Sequence, residues 1–138
     1  MARTERRATL VDSNVLLDVI TGDPDWGDWS ARALSEAAGF GATVINAIVF
    51  AEVSVRFSAI EDLQRALPAS LERTEIPWPA AFLAGKAHGV YRRRGGQRPT
   101  TLPDFFIGAH AAVSGLRLLT RDARRYGDYF PTVELVAP

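Results

Sequence analysis

Four carboxylates stand where an apolar element should end or stay apolar: Asp12, Glu52, Asp104 and Asp122. Asp12 closes the run Ala8-Thr9-Leu10-Val11, and Asp122 follows the run Leu116-Arg117-Leu118-Leu119-Thr120. Glu52 interrupts the apolar stretch from Val44 to Phe57, and Asp104 directly precedes Phe105-Phe106-Ile107-Gly108-Ala109. Two ionised carboxylates ~4 Å apart repel by about 4 kcal/mol at an effective dielectric of ~20, so several gathered together call for a counter-charge. A divalent cation supplies one. Carboxylate oxygens suit Mg²⁺ or Mn²⁺, which keep waters and leave room for substrate phosphate.

Each acid also has a plainer explanation. Asp12-Ser13-Asn14, Thr120-Arg121-Asp122 and Pro103-Asp104 all read as helix N-caps. Capping and cation binding are compatible, because a helix N-terminus favours the ionised carboxylate. Glu52 shares a helical face with Ile45, Ile48 and Val49, and a buried carboxylate needs a partner. Arg56, one turn on, is the alternative to a cation.

Cysteine is absent, so disulfides, thiolate zinc sites and cysteine nucleophiles are excluded. The two histidines lie in unrelated contexts: His110 reads as a packed or surface residue and His88 as a solvated one. No set of nucleophile, base and orienter is evident. Trp26, Trp29 and Trp78 read as packing. The net charge of zero argues against a protein that coats nucleic acid, yet Arg92, Arg93, Arg94 and Arg98 form a dense local patch suited to phosphate.

The elements that must position these residues alternate along the chain. Apolar runs of strand length fall at 8–12, 41–45, 73–76, 117–120 and 132–136. Helical patterns fall at 14–20, 26–38, 47–57, 60–71, 79–92 and from Asp104 to about 114, with a helical turn at 123–126. Such alternation predicts a parallel sheet covered by helices on both faces, an α/β architecture. Ligands of these sheets bind at the carboxyl ends of the strands, where Asp12 and Asp122 are expected. With 138 residues, 47% hydrophobic and 23% charged, the chain fits one domain spanning residues 1–138. The polar start and the acids behind it predict neither a signal peptide nor a membrane span, hence a cytoplasmic protein.

In this order the motifs resemble a known family. Leu10-Val11-Asp12-Ser13-Asn14-Val15-Leu16-Leu17-Asp18, Ala51-Glu52-Val53, Asp104-Phe105-Phe106-Ile107-Gly108-Ala109 and Leu118-Leu119-Thr120-Arg121-Asp122 look like PIN-domain ribonucleases, and most like the VapC-type toxins of toxin-antitoxin pairs. The resemblance runs from Leu10 to about Val136. It implies a three-layer α/β/α fold with sheet order 3-2-1-4-5 and Mg²⁺ or Mn²⁺ at Asp12, Glu52, Asp104 and Asp122, with Asn14 and Thr120 as polar neighbours. It also implies endonucleolytic cleavage of RNA, and a homodimer held in check by an antitoxin. Tyr126 stands where the family more often has Phe, a difference expected to be harmless. Two other readings remain: a metal-free PIN-like module that only binds a partner, and an aspartyl-phosphate hydrolase or receiver domain. The second wants a further Asp where Asn14 stands, and a lysine near the phosphate, whereas the sole lysine is the remote Lys86.

Overall fold

The computed structural model describes residues 7–96 and 101–138, and at its centre lie five parallel strands in the order β3-β2-β1-β4-β5. These are β1 (Thr9–Val11), β2 (Thr43–Ile45), β3 (Leu71–Arg73), β4 (Arg117–Leu119) and β5 (Leu135–Val136). Helices α1 (Ser13–Thr21) and α2 (Gly27–Phe40) link β1 to β2, and α3 (Ala47–Ser54) with α4 (Ile60–Ala66) links β2 to β3. Helices α5 (Trp78–Arg93) and α6 (Leu102–Ser114) precede β4, and α7 (Arg124–Gly127) precedes β5. Every crossing between strands runs through helix, as parallel pairing requires. Thr9, Leu10 and Val11 are each 0% exposed, because a central parallel strand is covered on both faces. The expected α/β/α architecture and strand order are present.

Register fixes what sits beside what. Leu10 pairs with Val44 on one side and Leu118 on the other, and Val11 pairs with Leu119. Asp12 therefore leaves the sheet beside Thr120, its N–H still donating to the Leu119 carbonyl at 2.9 Å. The chain works outward from β1 through β2 to β3, then returns to place β4 against the other edge of β1. The junction of β1 and β4 is thus the switch point, where the ends of diverging connections leave a crevice.

Element boundaries depart from expectation where local stereochemistry or pairing overrides the apolar pattern. The helix expected to run to Leu71 stops at Ala66, because Leu67 precedes Pro68 and is forced into extended backbone, ψ 143. Released early, the chain pairs Leu71 with Thr43, so β3 covers Leu71–Arg73 instead of 73–76. The last strand is limited to Leu135–Val136, the two residues paired with β4. Helix α6 starts at Leu102, two residues before Asp104. At one contact a side chain is excluded: a Cβ on Gly108 would lie 2.3 Å from the Phe130 ring, so the helix must present bare backbone there.

Candidate active site

Asp12 is both cap and buried acid. It precedes α1 in extended conformation, its Oδ1 accepts the Ser13 N–H at 2.7 Å, and only 1% of the residue is exposed. Its Oδ2 accepts from the Tyr126 hydroxyl at 2.8 Å, the Thr120 hydroxyl at 2.9 Å and the Asn14 amide at 3.3 Å. Burial raises the Asp12 pKa above the ordinary 3.8, the hydroxyls of Tyr126 and Thr120 and the Ser13 N–H oppose this, and the charge of Asp104 adds to the rise. Asn14 and Thr120, the expected polar neighbours, both lie against this carboxylate.

Glu52 approaches from α3, which Asn46 caps by accepting the Val49 N–H at 3.0 Å. Val49 and Val53 carry the buried face of that helix, and Glu52 beside them is half-buried. Its Oε1 accepts the Ser13 hydroxyl at 2.9 Å, which ties it to the Asp12 turn. Burial raises its pKa above 4.5, the Ser13 hydroxyl lowers it, and the charges of Asp12 and Asp104 raise it further. Among the described residues no ion pair joins Glu52 to Arg56, so the alternative of an intrahelical partner is corrected: Arg56 is exposed.

Asp104 is not the N-cap. It is the third residue of α6, where its Oδ2 accepts the Thr101 N–H at 3.0 Å and the Thr101 hydroxyl at 3.1 Å, the reciprocal half of a capping box. Its Oδ1 faces Arg125 Nη1 at 3.3 Å. The same guanidinium pairs through Nε with Asp122 Oδ2 at 3.3 Å. Asp122 is the outermost of the four, with 40% of its side chain exposed.

The acids thus meet as two linked pairs. Asp12 and Glu52 are joined through Ser13, and Asp104 and Asp122 are joined through Arg125. Among the described residues, no three acids or histidines stand as a group ready to hold an ion. The donor set nevertheless suits a hard cation: Asp12 and Glu52 have no cationic side chain within ion-pair distance among the described residues, and each is raised by its acidic neighbours. Arg125 offsets part of this surplus. Burial lowers its pKa, but the charges of Asp104, Tyr126, Asp122 and Asp12 more than compensate and raise it.

Several residues that build the site escape a reading of the sequence. Ser13 and Tyr126 carry no signal of their own; the hydroxyl that distinguishes Tyr126 from Phe donates to Asp12 Oδ2. Arg125 does carry one, standing three residues from Asp122 on a helical turn. Asp18, quoted above only as part of a motif, is 3% exposed and holds a two-pronged contact with Arg121, Nε to Oδ2 at 2.9 Å and Nη2 to Oδ1 at 3.2 Å. The Ser30 hydroxyl completes it at 2.8 Å. This buried cluster clamps the loop of Thr120 and Asp122 onto α1 and α2.

The remaining expectations divide. His110 is packed as expected: it is 1% exposed, Asn46 Nδ2 donates to its Nδ1 at 3.0 Å, and burial lowers its pKa. His88 is corrected. It is half-buried, stacked 6.1 Å from the Tyr91 ring and 5.4 Å from Phe105, because α5 packs along α6. Trp26 and Trp29 pack edge to face at 6.1 Å, whereas Trp78 is 87% exposed and is not packing. Arg92, Arg93 and Arg94 are exposed around the end of α5, and Arg98 lies outside the described residues. Tyr91 sits 5.5 Å from the Phe105 ring, which brings that basic end beside the first turn of α6 and Asp104.

Fold and site together define a class: a parallel α/β protein without cysteine, with acids at the switch point of its sheet. Within it, the PIN domain family model matches residues 9–128, and the chain belongs to that family. The same fold is found in VapBC2 from Rickettsia felis bound to a promoter DNA fragment, at TM-score 0.72 and 20% identity, covering 94% of this chain and 98% of that one. A toxin-antitoxin complex from Klebsiella pneumoniae matches at TM-score 0.67 and 23% identity over 94% and 96% of the two chains. The Mycobacterium tuberculosis sarcin-ricin loop cleaving toxin VapC20 matches at 0.63 and 15% over 92% and 99%. No curated protein sequence matches. No helix among the described residues is long and apolar enough to cross a membrane.

Proposed function

We propose that the chain is a divalent-metal-dependent endoribonuclease and the toxin of a toxin-antitoxin pair, working in the cytoplasm as a homodimer that a cognate antitoxin inhibits. Membership of the PIN family supports nuclease chemistry, and the shared fold with toxin-antitoxin chains, one of them named as cleaving the sarcin-ricin loop, supports the toxin role. The observation that carries the reading is the Asp12 carboxylate, buried at the switch point beside Glu52 with no cationic side chain within ion-pair distance among the described residues.

Asp12, Glu52, Asp104 and Asp122 would hold Mg²⁺ or Mn²⁺, which supplies an activated water and offsets charge on the phosphoryl oxygens. With Oδ2 taken by three side-chain donors, Asp12 would present Oδ1, whose close donor is the Ser13 N–H alone, as its less-occupied oxygen. Asn14 and Thr120 keep that orientation. Arg92, Arg93 and Arg94 hold backbone phosphates of the RNA along the approach to Asp104, and Arg98, four residues on in sequence, is assigned the same role. The reaction adds water across a phosphodiester and breaks one P–O bond. None of the carboxylates attacks.

Purified protein should cleave total RNA with Mg²⁺ or Mn²⁺, lose cleavage in chelator, and lose at least about a hundredfold in rate as Asp12→Asn. Activity that survives chelation would exclude the mechanism. The pairing of Asp104 and Asp122 with Arg125 favours one rival, a metal-free binding module, which predicts that cations leave thermal unfolding unchanged.

A further inference from the structure

Two arginines four residues apart, Arg121 and Arg125, bind acids in contrasting ways. Arg121 grips the buried Asp18 with two nitrogens at 2.9 and 3.2 Å and stacks 5.6 Å from the Trp26 ring. Arg125, about as exposed as Arg121, touches two different acids with one nitrogen each, both at 3.3 Å. A two-pronged contact on a buried carboxylate is a fixed strut. One nitrogen on each of two acids lacks the paired geometry of that fork and is more readily exchanged. Among the described residues Arg125 is also the one cation paired with the four site acids, and it occupies the side of Asp104 that its capping bonds leave open.

We infer that Arg125 is a built-in counter-ion, which bridges Asp104 and Asp122 in the metal-free protein and is displaced from them when a divalent cation binds. The inference rests on the metal centre proposed above. It explains why, among the described residues, no three of the acids stand together ready to coordinate: the guanidinium draws Asp104 and Asp122 toward itself. With Asp104 Oδ2 taken by Thr101, a cation reaching Asp104 competes for the Oδ1 that Arg125 holds. Binding is then an exchange of one positive group for another, and the released side chain swings toward solvent on its four-residue helix.

The test is Mn²⁺ calorimetry on the wild-type chain and on Arg125→Gln. Removing the competing unit charge should tighten Mn²⁺ about tenfold. The same substitution should lower the unfolding midpoint of the metal-free protein, and Mn²⁺ should restore it. In the wild-type chain, the Arg125 Nε–H resonance, assigned by its disappearance in Arg125→Lys, should shift and exchange faster with water as Mg²⁺ is added. That readout stands even if Arg125→Gln fails to fold. Equal Mn²⁺ affinity in the two proteins, or an Arg125 resonance untouched by saturating Mg²⁺, overturns the displacement while leaving the metal centre intact. Absence of Mn²⁺ binding to either protein overturns both.

Discussion

Three side-chain donors converge on the one oxygen Asp12 Oδ2, from Asn14, Thr120 and Tyr126, whereas Oδ1 takes a single backbone N–H as its close donor. A carboxylate so held cannot rotate, and its less-occupied oxygen points in one direction. The Tyr126 hydroxyl is fully buried and bonded to a charge, a contact of the stronger kind, so Tyr126→Phe should lose about 1.5–3 kcal/mol of stability. An unchanged urea midpoint would show that the hydroxyl contributes nothing. Glu52 yields a second expectation. Its pKa in the fold lies above its unfolded value, so the folded protein binds the proton more tightly. The stability this contributes is present below the unfolded value near 4.5 and is lost as pH rises through the folded one. In chelator, Glu52→Gln should therefore melt above the wild type at pH 7.5, with the gap closing toward pH 4.5. A gap that does not depend on pH would remove the electrostatic account.

At the scale of elements, short strands and caps carry the positioning. Strands of two or three residues place little of the chain inside the sheet, so the residue after each is held by whichever helix it starts. Asp12 caps α1, Asn46 caps α3, and Asp104 closes the capping box of α6. Each of the four acids thus lies at, or within two turns of, a helix start, Asp122 just ahead of α7. Helix α6 must also lie close to Phe130, next to the segment that brings Tyr126 inward. Gly108→Ala drives a methyl into that ring and should cost about 1–3 kcal/mol, as overpacking of a dense core does. Chemical denaturation measures this directly. A neutral result would mean that Phe130 has space to move.

For the whole molecule, the central question is whether a surplus of negative charge at one end of the sheet is matched by a ligand. A cation that binds only the folded state raises stability by about 2.7 kcal/mol at a concentration a hundred times its dissociation constant. Mn²⁺ should accordingly raise the unfolding midpoint of the wild type and not that of Asp12→Asn. Identical shifts in the two would locate the ion elsewhere. In the proposed nuclease, RNA held by the basic end of α5 would be delivered to the acids beside the first turn of α6. Salt should weaken RNA binding without altering Mn²⁺ affinity to the same degree.

The amino-acid sequence by itself determined the alternation of strand and helix, the parallel sheet and the acids at element ends. These rest on signals between near neighbours: an apolar run, a polar residue that stops it, a proline or a cap. Asp12, Glu52, Asp104 and Asp122 could be singled out because an acid against an apolar run is locally anomalous. Tertiary structure alone decided which atoms meet. Tyr126 reaches Asp12 across 114 residues and Thr120 reaches it across 108, contacts set by the register of β4 against β1 and the rotation of α7. The edge strands depended on it too: Leu71–Arg73 is mostly exposed, so pairing with β2 fixed its limits where its own pattern did not. Arg125 shows the same division, its spacing from Asp122 visible in the chain and its bridge to Asp104 created only when α6 and α7 pack together.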